Sequence, residues 1–132
     1  MENVKAAFIG LGARGPGHLK NFSTLNNTQV VALCDLYEDN VTRESTRLKN
    51  YNKSSNNVKL YWGSENIWKT MLKETKPDIV FICTNWKNHA PMVIQTMLDG
   101  AHAFCEVPLA ISTSEMWDIV NTSEKTQKHC MM

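Results

Sequence analysis

The stretch FIGLGARGPGHLKNF, residues 8–22, places Gly10, Gly12 and Gly15 in the spacing G-x-G-x-x-G and is followed within two positions by Gly17. These are four of the six glycines in the chain. Glycine weakens regular structure, so such a cluster indicates that the backbone turns tightly or approaches another group closely. The stretch follows an apolar run that predicts a strand and opens a segment that predicts a helix, which is the context in which this spacing indicates a dinucleotide site.

Apolar runs alternate with helical patterns along the rest of the chain. The patterns predict strands at residues 4–10, 28–35, 58–62, 77–84, 101–106 and 129–132, and helices at residues 15–26, 37–50, 64–75, 89–100 and 112–127. For the helix ends we predict Ser64 as an N-cap, Pro91 in a first turn, Gly100 as a C-cap, and a capping box that begins at Ser112 or Thr113. Unbroken apolar strands between helices indicate a parallel sheet covered on both faces.

The alternation therefore predicts an α/β protein with a doubly wound parallel sheet, the Rossmann fold, with strand order 3-2-1-4-5-6. We expect residues 1–132 to form one dinucleotide-binding domain, truncated as its sixth strand begins. A second, C-terminal substrate domain is expected to be absent from this chain.

Composition excludes several classes of protein. The 132 residues carry a formal net charge of +1 and no basic run, which argues against a nucleic-acid partner. No apolar stretch approaches the roughly 18 to 20 residues of a membrane helix, so no membrane partner is expected. The four cysteines form no C-x-x-C pair, which predicts reduced thiols and no metal site. The N-terminus lacks the features of a signal peptide, which favours a cytoplasmic location and leaves open an export signal that has been removed.

Each residue of the glycine cluster has a predicted role. Gly10 would permit the tight turn, Gly12 would let backbone N–H groups approach a pyrophosphate, and Gly15 would let the helix pack closely. The phosphates would lie at the helix N-terminus, where unpaired N–H groups and the helix dipole favour anions. Arg14 would fold over the pyrophosphate or the adenine, or else remain a solvated arginine.

Asp35 ends the second predicted strand, twenty residues after Gly15. A carboxylate at that position accepts hydrogen bonds from the adenosine ribose hydroxyls. It would repel a 2′-phosphate, and the neighbouring Leu36 carries no compensating charge, so NAD is favoured over NADP. The alternative is that Asp35 caps the helix that begins near Tyr37, and the two roles are compatible.

The segment CTNWKNHAP, residues 83–91, follows the fourth predicted strand, where ligands of this fold bind. Trp86 would pack against the dinucleotide, and His89 would hydrogen-bond a ribose or the substrate. The alternative is that Trp86 only covers the sheet edge and His89 only caps the next helix.

The segment CEVPLA, residues 105–110, follows the fifth predicted strand. Glu106 would lie at the nicotinamide ribose, and Pro108 would fix the turn. The alternative is that Glu106 is an exposed loop carboxylate. His18 is interpreted as a structural residue of the first helix.

Taken together, these residues resemble the N-terminal domain of the Gfo/Idh/MocA oxidoreductase superfamily over the whole chain. The superfamily's Glu-Lys-Pro triplet corresponds to Glu106-Val107-Pro108, and Asn85 stands where proline is common. The stretches GLGARGPGH, NWKNHAPM, CEVPLA and NTSEKTQKHCMM are similar to glycoside hydrolase family 109, the NAD-dependent α-N-acetylgalactosaminidases, in which valine follows that glutamate. The resemblance implies cofactor contacts at Ala13, Arg14, Asp35, Trp86, Asn88, His89, Glu106 and Val107.

The resemblance also implies an activity. In such enzymes a glycosidic bond is broken by transient oxidation of the sugar at its 3-hydroxyl with NAD⁺, elimination of the aglycone, addition of water and return of the hydride, without the usual pair of carboxylates. Most catalytic and sugar-binding side chains would lie in the absent domain, so we expect this chain alone to bind dinucleotide without turnover. An open apolar face would favour homo-oligomers. The alternatives are the cofactor domain of a sugar or inositol dehydrogenase and a non-catalytic NAD-binding module.

Overall fold

The strands that follow one another in the sequence assemble into one parallel sheet. A computed structural model describes residues 3–51 and 57–132. The strands are β1 (Val4–Ile9), β2 (Thr28–Cys34), β3 (Lys59–Tyr61), β4 (Ile79–Ile82), β5 (His102–Cys105) and β6 (Cys130–Met131). The helices are α1 (Gly15–Ser23), α2 (Glu38–Tyr51), α3 (Ile67–Thr75), α4 (Trp86–Leu98) and α5 (Thr113–Thr126). The order is β3-β2-β1-β4-β5-β6, which confirms the predicted doubly wound fold.

The order of the strands changes direction at β1. From β1 the chain adds β2 and β3 on one side, and then adds β4, β5 and β6 on the other side. Ile9, at the end of β1, pairs with Cys34 of β2 on one side and with Ile82 of β4 on the other. The glycine cluster, Asp35 and the segment after β4 therefore leave the sheet at one edge, side by side. In an open parallel sheet this reversal creates the crevice in which ligands bind.

Alternate residues of the strands build two apolar layers. Ala7 and Ile9 of β1 face the layer of α3, α4 and α5, whereas Ala6 and Phe8 face the layer of α1 and α2. In the second layer the rings of Phe8 and Phe81 stack with centroids 4.6 Å apart. Burying one such side chain stabilises the fold by roughly 1.5–3 kcal/mol, so both faces of the sheet contribute to holding the site-bearing edge.

Helix α4 begins three residues earlier than predicted. Asn85 is its N-cap, with a side-chain oxygen that accepts a hydrogen bond from the Asn88 N–H at 3.2 Å. The prediction that Pro91 lies in the first turn is therefore wrong, since Pro91 lies inside the helix. Proline at this position removes one backbone hydrogen bond, and α4 continues through it to Leu98. Gly100, with φ +92°, follows the C-cap residue Asp99 and ends the helix.

Two other predicted helix starts had different outcomes. Ser64 is not the N-cap of α3, because that position belongs to Asn66. The Ser64 hydroxyl instead accepts from the Asn66 N–H at 3.3 Å, in the turn before the helix. Ser112 is the N-cap of α5 and accepts from the Glu115 N–H, which confirms one of the two capping-box alternatives.

Helix α1 ends at Ser23 rather than at residue 26, and the remaining strands and helices differ from their predicted bounds by a few residues at most. The helices found in residues 3–51 and 57–132 include none that combines the length and the apolar character needed to cross a membrane.

The β5–β6 edge of the sheet depends on a neutral histidine. The His129 N–H donates to Nδ1 of His102 at 3.0 Å, and the two rings stack. Burial lowers the pKa of His102, and the charges of Lys128 and His129 lower it further, against the opposing carboxylate of Asp78. Nδ1 accepts only while it carries no proton, so protonation of His102 removes this bond.

We therefore expect the free energy of unfolding to fall as pH falls through about 6.5, because between the folded and unfolded pKa values the unfolded chain binds more protons. His102→Asn keeps an acceptor near Nδ1 and does not titrate, so its stability should depend less on pH. Urea unfolding of both proteins at several pH values between 5 and 8 measures the difference. Parallel pH profiles would contradict the role of His102.

Candidate functional site

The glycine turn between β1 and α1 has room for backbone only. Gly10 has φ +90°, and a Cβ there would overlap the carbonyl oxygen of Cys83. A Cβ on Gly15 would overlap the carbonyl oxygen of Gly10. Gly10 thus lets the turn pass close to the end of β4, and Gly15 lets α1 begin directly against the turn, as the sequence predicts.

The same turn presents unpaired backbone donors. Within the described parts of the chain, the N–H groups of Gly12, Ala13, Arg14 and Gly15 have no hydrogen-bond acceptor. Arg14 is the N-cap of α1 and makes no side-chain cap bond, and a Cβ on Gly12 would meet no atom within 4 Å. Free donors at the positive end of a helix, with open space in front of them, suit a diphosphate.

The Asp35 carboxylate turns toward the glycine turn. Its Oδ2 accepts from the Leu11 N–H at 2.7 Å, and its Oδ1 accepts from the Tyr37 N–H at 2.9 Å and from Nδ2 of Asn40 at 3.1 Å. Asp35 is 9% exposed. It therefore organises both the turn and the start of α2, and Oδ2, which accepts a single bond, retains acceptor capacity for a further donor.

A second side chain holds Leu11 through its carbonyl oxygen, and the sequence interpretation missed it. Nη2 of Arg43 donates to the Leu11 carbonyl oxygen at 2.7 Å, and Nη1 donates to Asn40 at 3.0 Å. Nε of Arg43 donates to Glu44, a 1% exposed carboxylate that also accepts from Arg47. The signal in the sequence was an acid, Glu44, between Arg43 and Arg47. Leu11 is thus held at both N–H and C=O.

A cavity of about 360 Å³ lies beside Asp35, at the carboxyl ends of β1, β2 and β4. Its walls come from the glycine turn, the start of α2, the turn before α3 and the start of α4. The residues that line it include Gly10, Gly12, Asp35, Leu36, Tyr37, Asn40, Ser64, Glu65, Trp68, Asn85, Asn88 and Met92. The polar rim with Ile67, Trp68 and Met92 beneath it suits a planar base attached to a sugar.

The three predicted site residues after β4 lie in different environments. Asn88 lines the cavity, and Trp86 is 63% exposed at the first position of α4. His89 is 1% exposed, with Nδ1 2.6 Å from the Pro108 carbonyl oxygen and Nε2 3.1 Å from that of Thr84. His89 joins the two loops, so a hydrogen bond from it to a ligand would have to replace one of these contacts.

Glu106 lies on the other side of the glycine turn, after β5. Nε2 of His18 donates to its Oε1 at 2.5 Å. This bond holds the pKa of the Glu106 carboxyl below its ordinary value, and the charges of His18 and Arg14 lower it further, against the effect of burial. Glu106 is therefore ionised and held in place rather than a free loop carboxylate. Val107 beside it is exposed.

Burial keeps the cysteine thiols protonated at neutral pH. Burial and the charge of Glu106 raise the pKa of the Cys83 thiol to about 12, despite the opposing charge of Arg14. Burial raises the pKa of Cys34 and Cys105 to about 12 and that of Cys130 to about 11. All four are free thiols, two buried and two half-buried. In residues 3–51 and 57–132, no three His, Cys, Asp or Glu side chains form a group that could hold a metal ion.

The structure thus arranges the predicted residues along one edge. Gly12, Asp35 and Asn88 line the cavity at the carboxyl ends of β1, β2 and β4. Glu106 and Val107 lie beyond the turn on the β5 side.

Comparison with known proteins gives one family match. The model of the Gfo/Idh/MocA family, described as "Oxidoreductase family, NAD-binding Rossmann fold", matches residues 4–132. A curated protein of Akkermansia muciniphila, named "Glycosyl hydrolase family 109 protein 2", is 45% identical over 132 residues, which are 100% of this chain and 28% of that protein. A protein of Bacteroides fragilis named "Glycosyl hydrolase family 109 protein 1" is 44% identical over 131 residues, 99% of this chain and 28% of that protein.

Solved structures share the fold at lower identity. The WlbA dehydrogenase of Chromobacterium violaceum, in complex with NADH and UDP-GlcNAcA, superposes with a TM-score of 0.82 at 20% identity, over 98% of this chain and 34% of that chain. The myo-inositol 2-dehydrogenase of Lactobacillus plantarum superposes with a TM-score of 0.82 at 23% identity, over 98% of this chain and 36% of that chain. The chain spans little more than a quarter of the length of the curated relatives it matches.

Proposed function

The chain belongs to the Gfo/Idh/MocA oxidoreductase family through its NAD-binding Rossmann domain, and from this premise we propose that it holds the NAD of a glycosidase that acts by transient oxidation of the sugar. The substrate class in this proposal is an N-acetylgalactosaminide. The sugar would be bound mainly by a further domain of a longer enzyme.

Sequence similarity and one residue together support a glycosidase over a dehydrogenase. Curated relatives named glycosyl hydrolase family 109 are 39% and 45% identical over all 132 residues. The observation that carries the choice is Val107, 63% exposed beside the ionised Glu106, at the place of the lysine in the superfamily's Glu-Lys-Pro triplet. A valine neither donates nor accepts a proton, so simple hydroxyl dehydrogenation with that lysine as the proton-transfer group is not available here.

The residues of the site fit a dinucleotide from one end to the other. The free N–H groups of Gly12, Ala13 and Arg14 would hold the pyrophosphate, and Asp35 would accept from a ribose hydroxyl. The bound dinucleotide would supply a reversible hydride acceptor, which is the chemistry that side chains lack. Glu106 would contact the nicotinamide half. In this proposal the domain binds and orients the cofactor, and the further domain positions the sugar.

Asp35→Ala is expected to weaken NAD binding by about 1–3 kcal/mol, roughly 5- to 150-fold in dissociation constant, through the loss of charge-assisted hydrogen bonds. Isothermal titration calorimetry measures the change. Asp39→Ala removes the same charge from the exposed surface of α2 and is the matched control. Equal NAD affinities for the wild type and the Asp35 variant would contradict the proposed hydrogen bond between Asp35 and the ribose.

The reaction itself is tested on an enzyme that carries this domain together with its substrate domain. The proposal expects that a p-nitrophenyl N-acetylgalactosaminide releases p-nitrophenol without accumulation of NADH. Sustained NADH formation from free sugars would instead indicate a dehydrogenase. NAD binding without either reaction would indicate a non-catalytic module.

A further inference from the structure

The contact between His18 and Glu106 joins two parts of the chain that the glycine turn separates. His18 lies on α1, and Glu106 follows β5, 88 residues later. Between them the chain has passed through four of the six strands. The bond therefore couples the helix that carries the anion site to the loop that carries the Glu106 carboxylate.

The His18 ring is held in place rather than free to rotate. Its centroid lies 5.3 Å from that of Phe104, in an edge contact, and 6.1 Å from that of Phe81. These rings belong to β5 and β4, so the sheet itself sets the direction in which Nε2 points. The side chains of His18 and Glu106 are 28% and 20% exposed, which leaves the pair accessible from the ligand edge.

The position of the pair relates it to one half of a dinucleotide. Asp35 follows β2, on one side of the glycine turn, whereas Glu106 follows β5, on the other side. A dinucleotide with its pyrophosphate at the turn places its two nucleosides on opposite sides of it. Once the adenosine is assigned to the Asp35 side, the nicotinamide nucleoside extends toward Glu106.

We propose that His18 is a positioning residue, which through its bond to Glu106 fixes that carboxylate where it contacts the nicotinamide nucleoside. Binding of the adenosine diphosphate half does not depend on this bond. The inference rests on the proposed function, because it requires NAD to bind at this edge. It changes the interpretation of His18 from a structural residue of α1 to one that acts on the ligand through another side chain.

Two variants of His18 separate its hydrogen bond from its packing. His18→Phe keeps a ring against Phe104 and Phe81 and removes the donor, whereas His18→Gln keeps a donor near Nε2 and removes the ring. We expect His18→Phe to weaken NAD⁺ binding about tenfold, as expected for a disturbed charge-assisted bond, and to change ADP binding by less than about twofold. His18→Gln should restore most of the NAD⁺ affinity.

The ADP measurement distinguishes the possible failures. If the wild-type protein binds neither NAD⁺ nor ADP in calorimetry, the proposed function is wrong and the inference falls with it. If the wild type binds both and His18→Phe binds NAD⁺ equally well, only the inference is overturned. Equal weakening of NAD⁺ and ADP would show that His18 merely supports the turn.

A measurement without ligand tests the same contact. Carbon-detected NMR titration of the wild type should give a Glu106 pKa below that of an ordinary glutamate, and His18→Phe should raise it. His18→Gln should lie between the two. An unchanged Glu106 pKa in His18→Phe would contradict the bond on which the inference depends.

Discussion

Gly15→Ala is expected to destabilise the protein by about 3 kcal/mol or more, because the added methyl group would overlap the carbonyl oxygen of Gly10. That oxygen belongs to the backbone of the turn and has no rotamer through which to withdraw. Gly10 is itself confined, since its own Cα faces the carbonyl of Cys83 at the end of β4. Relief of the overlap would therefore require a shift of α1 away from the sheet.

The control for this variant lies two residues away. Gly17 is in the same helix, and a Cβ there meets no atom within 4 Å. Gly17→Ala should leave stability unchanged or raise it by about 0.5–1 kcal/mol, since alanine favours the helix. Thermal unfolding measures both, with an expected fall for Gly15→Ala of about 10 °C or more. A melting temperature within a degree or two of the wild type would show that the turn relaxes freely.

Gly12→Ala is expected to have the opposite profile, with normal stability and NAD affinity lower on the order of 100-fold, about 2.7 kcal/mol. No protein atom lies within 4 Å of a Cβ at Gly12, so the folded chain accommodates alanine. The methyl group would occupy open space at the turn that carries the free N–H groups, where the pyrophosphate is proposed to lie. A diphosphate cannot approach those donors closely past a methyl group.

Calorimetry with NAD⁺, accompanied by urea unfolding, checks both halves of this expectation. Gly17→Ala again serves as the matched substitution, because it adds the same methyl group five residues away, in α1 and outside the turn. Undiminished NAD⁺ binding by Gly12→Ala would place the pyrophosphate elsewhere. A large loss of stability would show instead that the space beside Gly12 is needed by the fold.

The architecture was predictable because its determinants are local or follow from chain handedness. The apolar run of β1, the glycine turn and the pattern of α1 are read within twenty residues of sequence. Right-handed crossovers then leave few strand orders, and the observed order is the expected one. Helix starts were less predictable, since Asn66 competed with Ser64 as the cap of α3, and Pro91 suggested a later start for α4.

The roles of individual site residues were only partly predictable. The positions of the glycine turn and Asp35 at one edge follow from the strand order. Burial of His89 between two carbonyl oxygens does not, because it depends on how the loop at Pro108 returns over α4. The Arg43 bond to Leu11 joins residues on different elements and leaves no periodic signal in the sequence.

The sequence by itself determined which segments become strands and helices, their order in the sheet, and the edge at which the glycine turn and Asp35 meet. These depend on local side-chain chemistry and on the handedness of the chain, both of which are present in any short window of residues. Only the tertiary structure decided that Asp35 and Arg43 hold Leu11 by its N–H and its C=O, and that His18 holds Glu106. Such contacts form between side chains remote in sequence, whose meeting depends on the packing of every layer between them.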